Sequence, residues 1–323
     1  MEVKQIQVLA NELKHNVGRV IVGKENEIEL LLTALIASGH VLLEDVPGTG
    51  KTLLAKTISA SMGCTFQRIQ FTPDLLTSDL TGIHFYNQKE GEFNFRPGPL
   101  FANLVLADEI NRATPRTQSS LLECMEERQI SVDGKTHPLG RPFIVLATQN
   151  PIDNQGTFPL PEAQMDRFMI RMKLGYPSTE EGVEILRRTT AKDDTANFIQ
   201  PVVTLKQIMD MQESYKTVHI HEDLLRYIVN LCESTRQHND LVLGVSPRGS
   251  QALVRAVQAR AAIYGRDYVL PDDIKALAPY VLSHRLVFRN RLQQQAGRAE
   301  KLLMEIIEGL PVPSEDQLES SVK

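Results

Sequence analysis

Positive charge is in short supply in this chain. Its 35 Lys and Arg against 40 Asp and Glu leave a formal net charge of -5 over 323 residues. A protein that holds nucleic acid mainly by neutralising phosphates needs the opposite balance, so only a local basic patch would serve that purpose. Cysteine is scarce too. Cys64, Cys124 and Cys232 are odd in number, widely separated and without C-x-x-C spacing, which supplies no metal site and fits a reducing compartment. Long apolar runs are missing as well: the longest, Leu30 to Ala37, is broken by Thr33 and far too short to span a bilayer. The opening segment, MEVKQIQVLANELKHN, lacks the apolar core of a signal peptide. A soluble, cytoplasmic protein with no membrane insertion is expected, long enough for one large or two medium domains.

What is present centres on His40 to Thr57, H-VLLE-DVPGTGKT-LLAKT. Val41 to Leu43 have strand character, Asp45 to Gly50 form a loop with two glycines and a proline, and Lys51-Thr52 open a helical segment. Strand, glycine loop, Lys-Thr and helix make up a phosphate-binding P-loop. Unpaired amides at the helix start and the helix dipole favour an anion there, and Gly48 and Gly50 let the backbone, with Thr49 between them, curl around phosphates. Lys51 would reach the β- and γ-phosphates, and the Thr52 hydroxyl would ligate Mg²⁺. One position breaks the strict G-x-x-x-x-G-K-[ST] pattern: Asp45 stands where the first glycine falls. Beside Glu44, it must point away or bond locally, otherwise the loop repels its ligand.

Upstream, residues 2–16 read as an amphipathic helix, Val22-Gly23-Lys24 as a turn, and Glu27 to Ser38 as a second helix. Gly23 either lets backbone approach a nucleotide base or merely makes the turn. Downstream, Thr81–Tyr86 and Gly91–Phe95 are β-like runs around a polar turn, and Asp133-Gly134 is a strong signal for a second hairpin within 129–142. Leu104-Val105-Leu106-Ala107 suits a strand buried on both faces of a parallel sheet, and Asp108 and Glu109 end it at the edge where such sheets bind ligands. Asp108 would hold Mg²⁺, and Glu109 would polarise the attacking water. Another buried strand, Ile144 to Thr148, leads to Asn150, either an orienting amide for that water or the first residue of an Asn-Pro turn.

Composition changes at Tyr176-Pro177, beyond which only helices and loops are expected: 179–190, 204–214, 221–237, 247–264, 271–283 and roughly 290–308. Ser246 and Pro247 start one of these helices as N-cap and N1, placing Arg248 in the first turn. A cation there opposes the helix dipole, so Arg248 either meets an anion or is solvated. The tail after Leu310 is polar.

These stretches together resemble the MoxR family of AAA+ ATPases. The matching strings include VGKENEIELLLTALIASGHVLLEDVPGTGKT, FNFRPGPLFAN, LADEINRATPRTQSSLLECMEERQ, LATQNP, GTFPLPEAQMDRF and GVSPRGSQALVRAVQARAAIYGRDYVLPDDI, and with the final GLPVP they span residues 22 to 313. The resemblance implies an α/β P-loop core with a parallel sheet and two β-hairpin inserts over residues 1–175, a small all-α lid over 176–308, and a C-terminal tail over 309–323. It also implies roles: Lys51 and Thr52 as Walker A, Asp108 and Glu109 as Walker B, Asn150 as sensor 1, Arg167 of the DRF string as arginine finger, Arg248 as sensor 2, and Gly23 beside the adenine. Asp45 resembles the family's own version of the P-loop. Gly249, where many relatives carry alanine, should slightly weaken the start of its helix. ATP and Mg²⁺ are the implied substrate and cofactor. The implied assembly is a ring, usually of six subunits, that remodels or matures a protein complex with a von Willebrand A domain partner. No D-x-S-x-S string of that partner occurs in the chain, so such a domain must come from another polypeptide.

Three rival functions share parts of this pattern: a chelatase-type motor subunit, a DNA-dependent motor or helicase, and a nucleotide switch without turnover. Glu109, Asn150 and Arg167 speak against the switch. A DNA motor needs cationic hairpin tips. Between Ile83 and Arg96, Lys89 and Arg96 only balance Glu90 and Glu92, and between Gln129 and Pro142, Lys135 and Arg141 exceed Asp133 by one. The aromatics of the first hairpin either pack it on the core or meet a protein partner.

Overall fold

The computed structural model describes residues 1–150, 156–190, 199–290 and 297–313. Two helices, α1 (Val3–Gly18) and α2 (Glu25–Ile36), precede the first strand, β1 (Val41–Glu44). The P-loop then leads into α3 (Lys51–Ser61), β2 (Phe66–Gln70), the short α4 (Thr77–Thr81) and a hairpin of β3 (Gly82–Asn87) and β4 (Glu92–Pro97). Strand β5 (Leu104–Asp108) is followed by α5 (Pro115–Glu127), a second hairpin of β6 (Gln129–Val132) and β7 (Lys135–Pro138), β8 (Ile144–Gln149), α6 (Glu162–Met165) and β9 (Ile170–Met172).

Five of these strands form one parallel sheet in the order β2-β5-β8-β1-β9. Their near-continuous apolar character follows from burial on both faces. Leu104 and Leu106 of β5 face the layer containing α1 and α2, whereas Val105 and Ala107 face the layer containing α5. Helix α2 is buried from Leu30 through Ile36, because it lies between the sheet and other helices, not at the surface. The register sets Gln70 opposite Asp108 and Glu44 opposite Gln149, so the polar strand tips line up along one edge.

Both hairpins are present. Asp133 and Gly134 take φ of 50 and 76, the pair of left-handed residues that a type I′ turn needs. The hairpins meet each other: His84 Nδ1 lies 2.8 Å from an Asp133 carboxylate oxygen, and the Phe95 and His137 rings stack at 4.3 Å. Phe95 thus packs inward, also against Phe101. Ile83, Phe85, Tyr86 and Phe93 stay exposed. The first hairpin is thus anchored by one aromatic and leaves its other large apolar side chains exposed.

The second half comprises α7 (Thr179–Thr190), α8 (Leu205–Ser214), α9 (Glu222–Gln237), α10 (Pro247–Ile263), α11 (Pro271–Leu282) and α12 (Arg298–Gly309). Residues 291–296 of the helix expected from 290 lie outside the described residues. Two short strands, β10 (Leu241–Leu243) and β11 (Val287–Phe288), add an antiparallel ribbon that helical spacing did not anticipate. The helical half shares one hydrophobic core with α1, α2 and one face of the sheet. Of the cysteines, Cys124 and Cys232 are buried and their thiols are pushed up by desolvation to about 12 and about 11, which removes them from thiolate chemistry.

Candidate active site

The P-loop folds as its glycines require. Gly48 and Gly50 take φ of 85 and 92, left-handed conformations that a side chain would strain. Gly50 is the N-cap of α3 and offers no side-chain cap, so the first amides of that helix remain available to a ligand. A cleft of about 500 Å³ opens there, lined by Gly48, Gly50, Lys51, Thr52, Arg68, Gln70, Asp108, Glu109, Thr148 and Asn150, among others. Lys51, Thr52, Asp108, Glu109 and Asn150 thus come together at one place.

Each charged group in this cleft has a partner. Lys51 Nζ donates to the carbonyls of Asp45 (3.1 Å) and Val46 (2.7 Å). The Asp108 carboxylate accepts from Thr148 Oγ1 at 2.6 Å and from the Arg68 guanidinium at 2.6 and 3.1 Å. Glu109 adopts a left-handed backbone with φ of 58, while its amide donates to Thr148 Oγ1. Strained conformations of this kind concentrate at functional sites. Its carboxylate accepts from Gln70 Nε2 at 2.8 Å and pairs with Arg112 Nε at 3.0 Å. The donor set fits a Mg²⁺-bound polyphosphate: a lysine resting on neutral carbonyls, a helix start without a cap, and a buried carboxylate beside a hydroxyl-bearing Thr52.

Asp45 answers the question its position raised. It is buried, and its carboxylate accepts from the amides of Val46 (2.8 Å), Leu174 (2.9 Å) and Gly175 (2.7 Å), turned away from the phosphate side. A second cleft, of about 440 Å³, shares Gly48, Gly50 and Leu53 with the first and continues along Thr49, Val22, Lys24, Leu174, Gly175, Tyr176 and Pro177. Gly23 lies beside this cleft without lining it. Its φ of 68 is what favours glycine, since an added Cβ would meet only the movable end of the Glu181 side chain of α7.

Arg167 and Arg248 are elsewhere. They line a separate cleft of about 730 Å³ with Arg128, Arg255, Arg285 and Glu126, and this cleft shares no residue with the P-loop cleft. Arg167 Nη1 donates to the Leu122 carbonyl, and Arg248 pairs with Glu126. Ser246 caps α10 as expected, accepting from the Gly249 amide at 3.1 Å while its own hydroxyl donates to Asp166 at 3.0 Å. Arg285, its side chain only 3% exposed, donates to the Asp166 carboxylate (2.6 Å) and to the Phe168 carbonyl (2.8 Å). Gly249 acquires a reason here that helix propensity hides. A Cβ would sit 2.7 Å from Val245 Cγ1 and 2.8 Å from Arg285 Cδ, so the missing methyl leaves room for the buried arginine.

Sequence reasoning missed Arg68, Gln70 and Thr148 in the first cleft and Asp166, Arg285 and Glu126 in the second. For Gln70 a signal exists, since it is the polar tip of an alternating strand next to β5. For Arg285 there is none short of the fold.

Known proteins sort this arrangement. Residues 40–170 match the family described as ATPase family associated with various cellular activities (AAA), and residues 233–306 match the AAA lid domain. Chaperone MoxR1 of Mycobacterium tuberculosis is 43% identical over 280 residues, 84% of this chain and 74% of that protein. The chain belongs to the MoxR family of AAA+ ATPases. Other members of this similarity group are less described: the uncharacterized protein YeaC of Bacillus subtilis is 46% identical over 310 residues, covering 96% of this chain and 97% of YeaC. A crystal structure from Cytophaga hutchinsonii superposes with a TM-score of 0.90 at 38% identity, covering 97% of both chains. In this MoxR-family chain the P-loop cleft and the arginine cleft are thus separate, with no lining residue in common.

Proposed function

We propose that this MoxR-family chain hydrolyses ATP at the boundaries of a homo-oligomeric ring, six-membered by resemblance, and uses the cycle to remodel a protein complex in the cytoplasm. In this reading residues 1–175 are the nucleotide-binding core, 176–308 the lid and 309–323 the tail. The observation that carries it is the separation of complementary half-sites. The P-loop cleft holds lysine, carboxylates and an amide but lacks Arg167 and Arg248, and the arginine cleft holds both but no phosphate cradle.

Within one subunit, Lys51 leaves its carbonyls for the β- and γ-phosphates, and the α3 amides with Gly48 and Gly50 hold the remaining oxygens. Thr52 and Asp108 would hold Mg²⁺, which would supply neutralisation of phosphate charge. Glu109 accepts the water proton once Gln70 releases its carboxylate, and Asn150 orients that water. Arg167 and Arg248 belong to the neighbour's nucleotide, because both open to the other cleft. The exposed Ile83, Phe85, Tyr86 and Phe93 give the first hairpin an apolar face suited to a protein client. A von Willebrand A domain protein is the partner that the family resemblance suggests. The DNA-motor alternative is disfavoured by the balanced charge of that hairpin.

Subunit mixing tests the central point. Arg167→Ala and Lys51→Ala proteins, each inactive alone, should regain hydrolysis when co-assembled, because mixed boundaries then pair an intact arginine with an intact cradle. Confirmed co-assembly without recovery would sink the trans arrangement.

A further inference from the structure

The Asp45 side chain reaches outside the P-loop. Its Oδ2 accepts from both Leu174 N and Gly175 N, 129 and 130 residues downstream, where the chain leaves β9. Those two residues, with Tyr176 and Pro177, form one side of the 440 Å³ cleft next to the phosphate cradle. The backbone of Asp45 reaches the other parts of the site: its amide donates to the Gln149 carbonyl beside Asn150, and its carbonyl accepts from Lys51 Nζ. The opposite side of that cleft is tied to the same segment, since Lys24 Nζ donates to the Tyr176 carbonyl at 3.3 Å.

We propose that Asp45 is a positioning residue that fixes the base-side cleft to the phosphate cradle, so that a nucleotide is bound as a whole and not by its phosphates alone. The inference rests on the reading of the P-loop cleft as an ATP site and specifies how that site recognises its ligand. A glycine, the usual residue at this motif position, would preserve the loop and leave Leu174 and Gly175 without their acceptor. The segment from Leu174 to Pro177 would then be free to move away from the base. Simple electrostatics predicts the opposite sign: removing a negative charge near phosphates should tighten every phosphorylated ligand.

The two effects separate with two ligands. Tripolyphosphate touches only the cradle, whereas ADP spans cradle and base cleft. By calorimetry on the full chain, Asp45→Gly should bind tripolyphosphate as well as or better than the unmodified protein, while ADP weakens by about 10- to 100-fold, the range expected for a lost charge-assisted hydrogen-bond pair. Amides of residues 174–177 should exchange faster in the nucleotide-free variant. Asp45→Asn keeps the size and one acceptor oxygen, and should show the same split to a smaller degree if the glycine variant does not fold. Equal weakening of both ligands would reduce Asp45 to a part of the cradle and overturn the proposal. So would unchanged ADP binding, or tightening of both ligands. If Lys51→Ala binds tripolyphosphate as well as the unmodified chain does, the P-loop reading itself fails, and the proposal with it.

Discussion

At the strand tips, Asp108 and Glu109 face Lys51 and Arg68 in a cleft open to solvent. In the cleft beside α10, Arg248 pairs with Glu126 and Arg285 with Asp166, while Arg128 and Arg167 donate to the Ser38 and Leu122 carbonyls. Both clefts contain an arginine–carboxylate pair with a 2.6 Å contact, yet the pairs live in different media. The Arg68 side chain is 47% exposed, and that of Arg285 is 3% exposed. The first pair can exchange partners cheaply as a ligand arrives, whereas the second is part of the scaffold that fixes where Arg167 and Arg248 point. One cleft is built to rearrange and the other to hold still.

The largest effect should come from the arginine side. Arg167→Ala should lower hydrolysis by about 10³- to 10⁵-fold, the range of arginine fingers in GTPases, with ADP affinity of the P-loop cleft unchanged. A matching loss of ADP affinity would place Arg167 in its own subunit's site. Next is Glu109→Gln, which should retain nucleotide binding and slow turnover by about 10²- to 10⁴-fold, as for loss of a general base. Turnover near the unmodified rate would remove Glu109 from the chemistry.

Stability sharpens the contrast between the two ion pairs. Arg285→Met removes a buried guanidinium from the partly exposed Asp166 and from the Val281 and Phe168 carbonyls, and should cost roughly 3–5 kcal/mol in urea unfolding. Arg68→Met removes a half-exposed cation from the buried Asp108, which Thr148 still holds, and should cost less, about 1 kcal/mol. Similar losses for both would erase the distinction drawn between the clefts.

The last effect concerns pH. His40, under the arginine cleft, accepts from Val145 N at its Nδ1 and therefore donates from Nε2 to the Met125 carbonyl, a neutral imidazole. Burial first, and then Arg128, pushes its pKa down to about 3, and burial with Arg285 lowers His284 as well. An unfolded histidine protonates near 6.5, so below that pH only the unfolded chain gains the protons. Stability is therefore present above pH 6.5 and falls with acid by about 1.4 kcal/mol per pH unit for each such histidine. Hydrogen exchange at pH 5.5 should expose the amides around Met125 and Phe168 before those of the P-loop; simultaneous exposure would contradict it.

Local chemistry was legible in the chain. The P-loop, the carboxylates ending β5, the Asp133-Gly134 turn and the Ser246 cap are each written within a few residues, and each lies where spacing puts it. What sequence could not supply were partners at a distance: Asp45 with Leu174, Arg285 with Asp166, and the gap at Gly249 that an arginine fills. Hydrophobic periodicity names the buried face of a helix and says nothing about which polar atom meets it. Gly23 and Arg248 show the same limit, since their motif neighbourhoods are right and their immediate contacts are set by α7 and Glu126.

Helix α1 packs on α10, and Gln7 Nε2 donates to the Tyr264 carbonyl across 257 residues of sequence. Helices α2 and α3 also pack on α1 and follow it closely in the chain, so during synthesis only the side that α10 covers stays open. At about 5–20 residues per second that side of α1 waits roughly tens of seconds for its cover. Through that interval the nascent chain carries a half-closed sticky stripe, and the last third of translation supplies the rest of its seal.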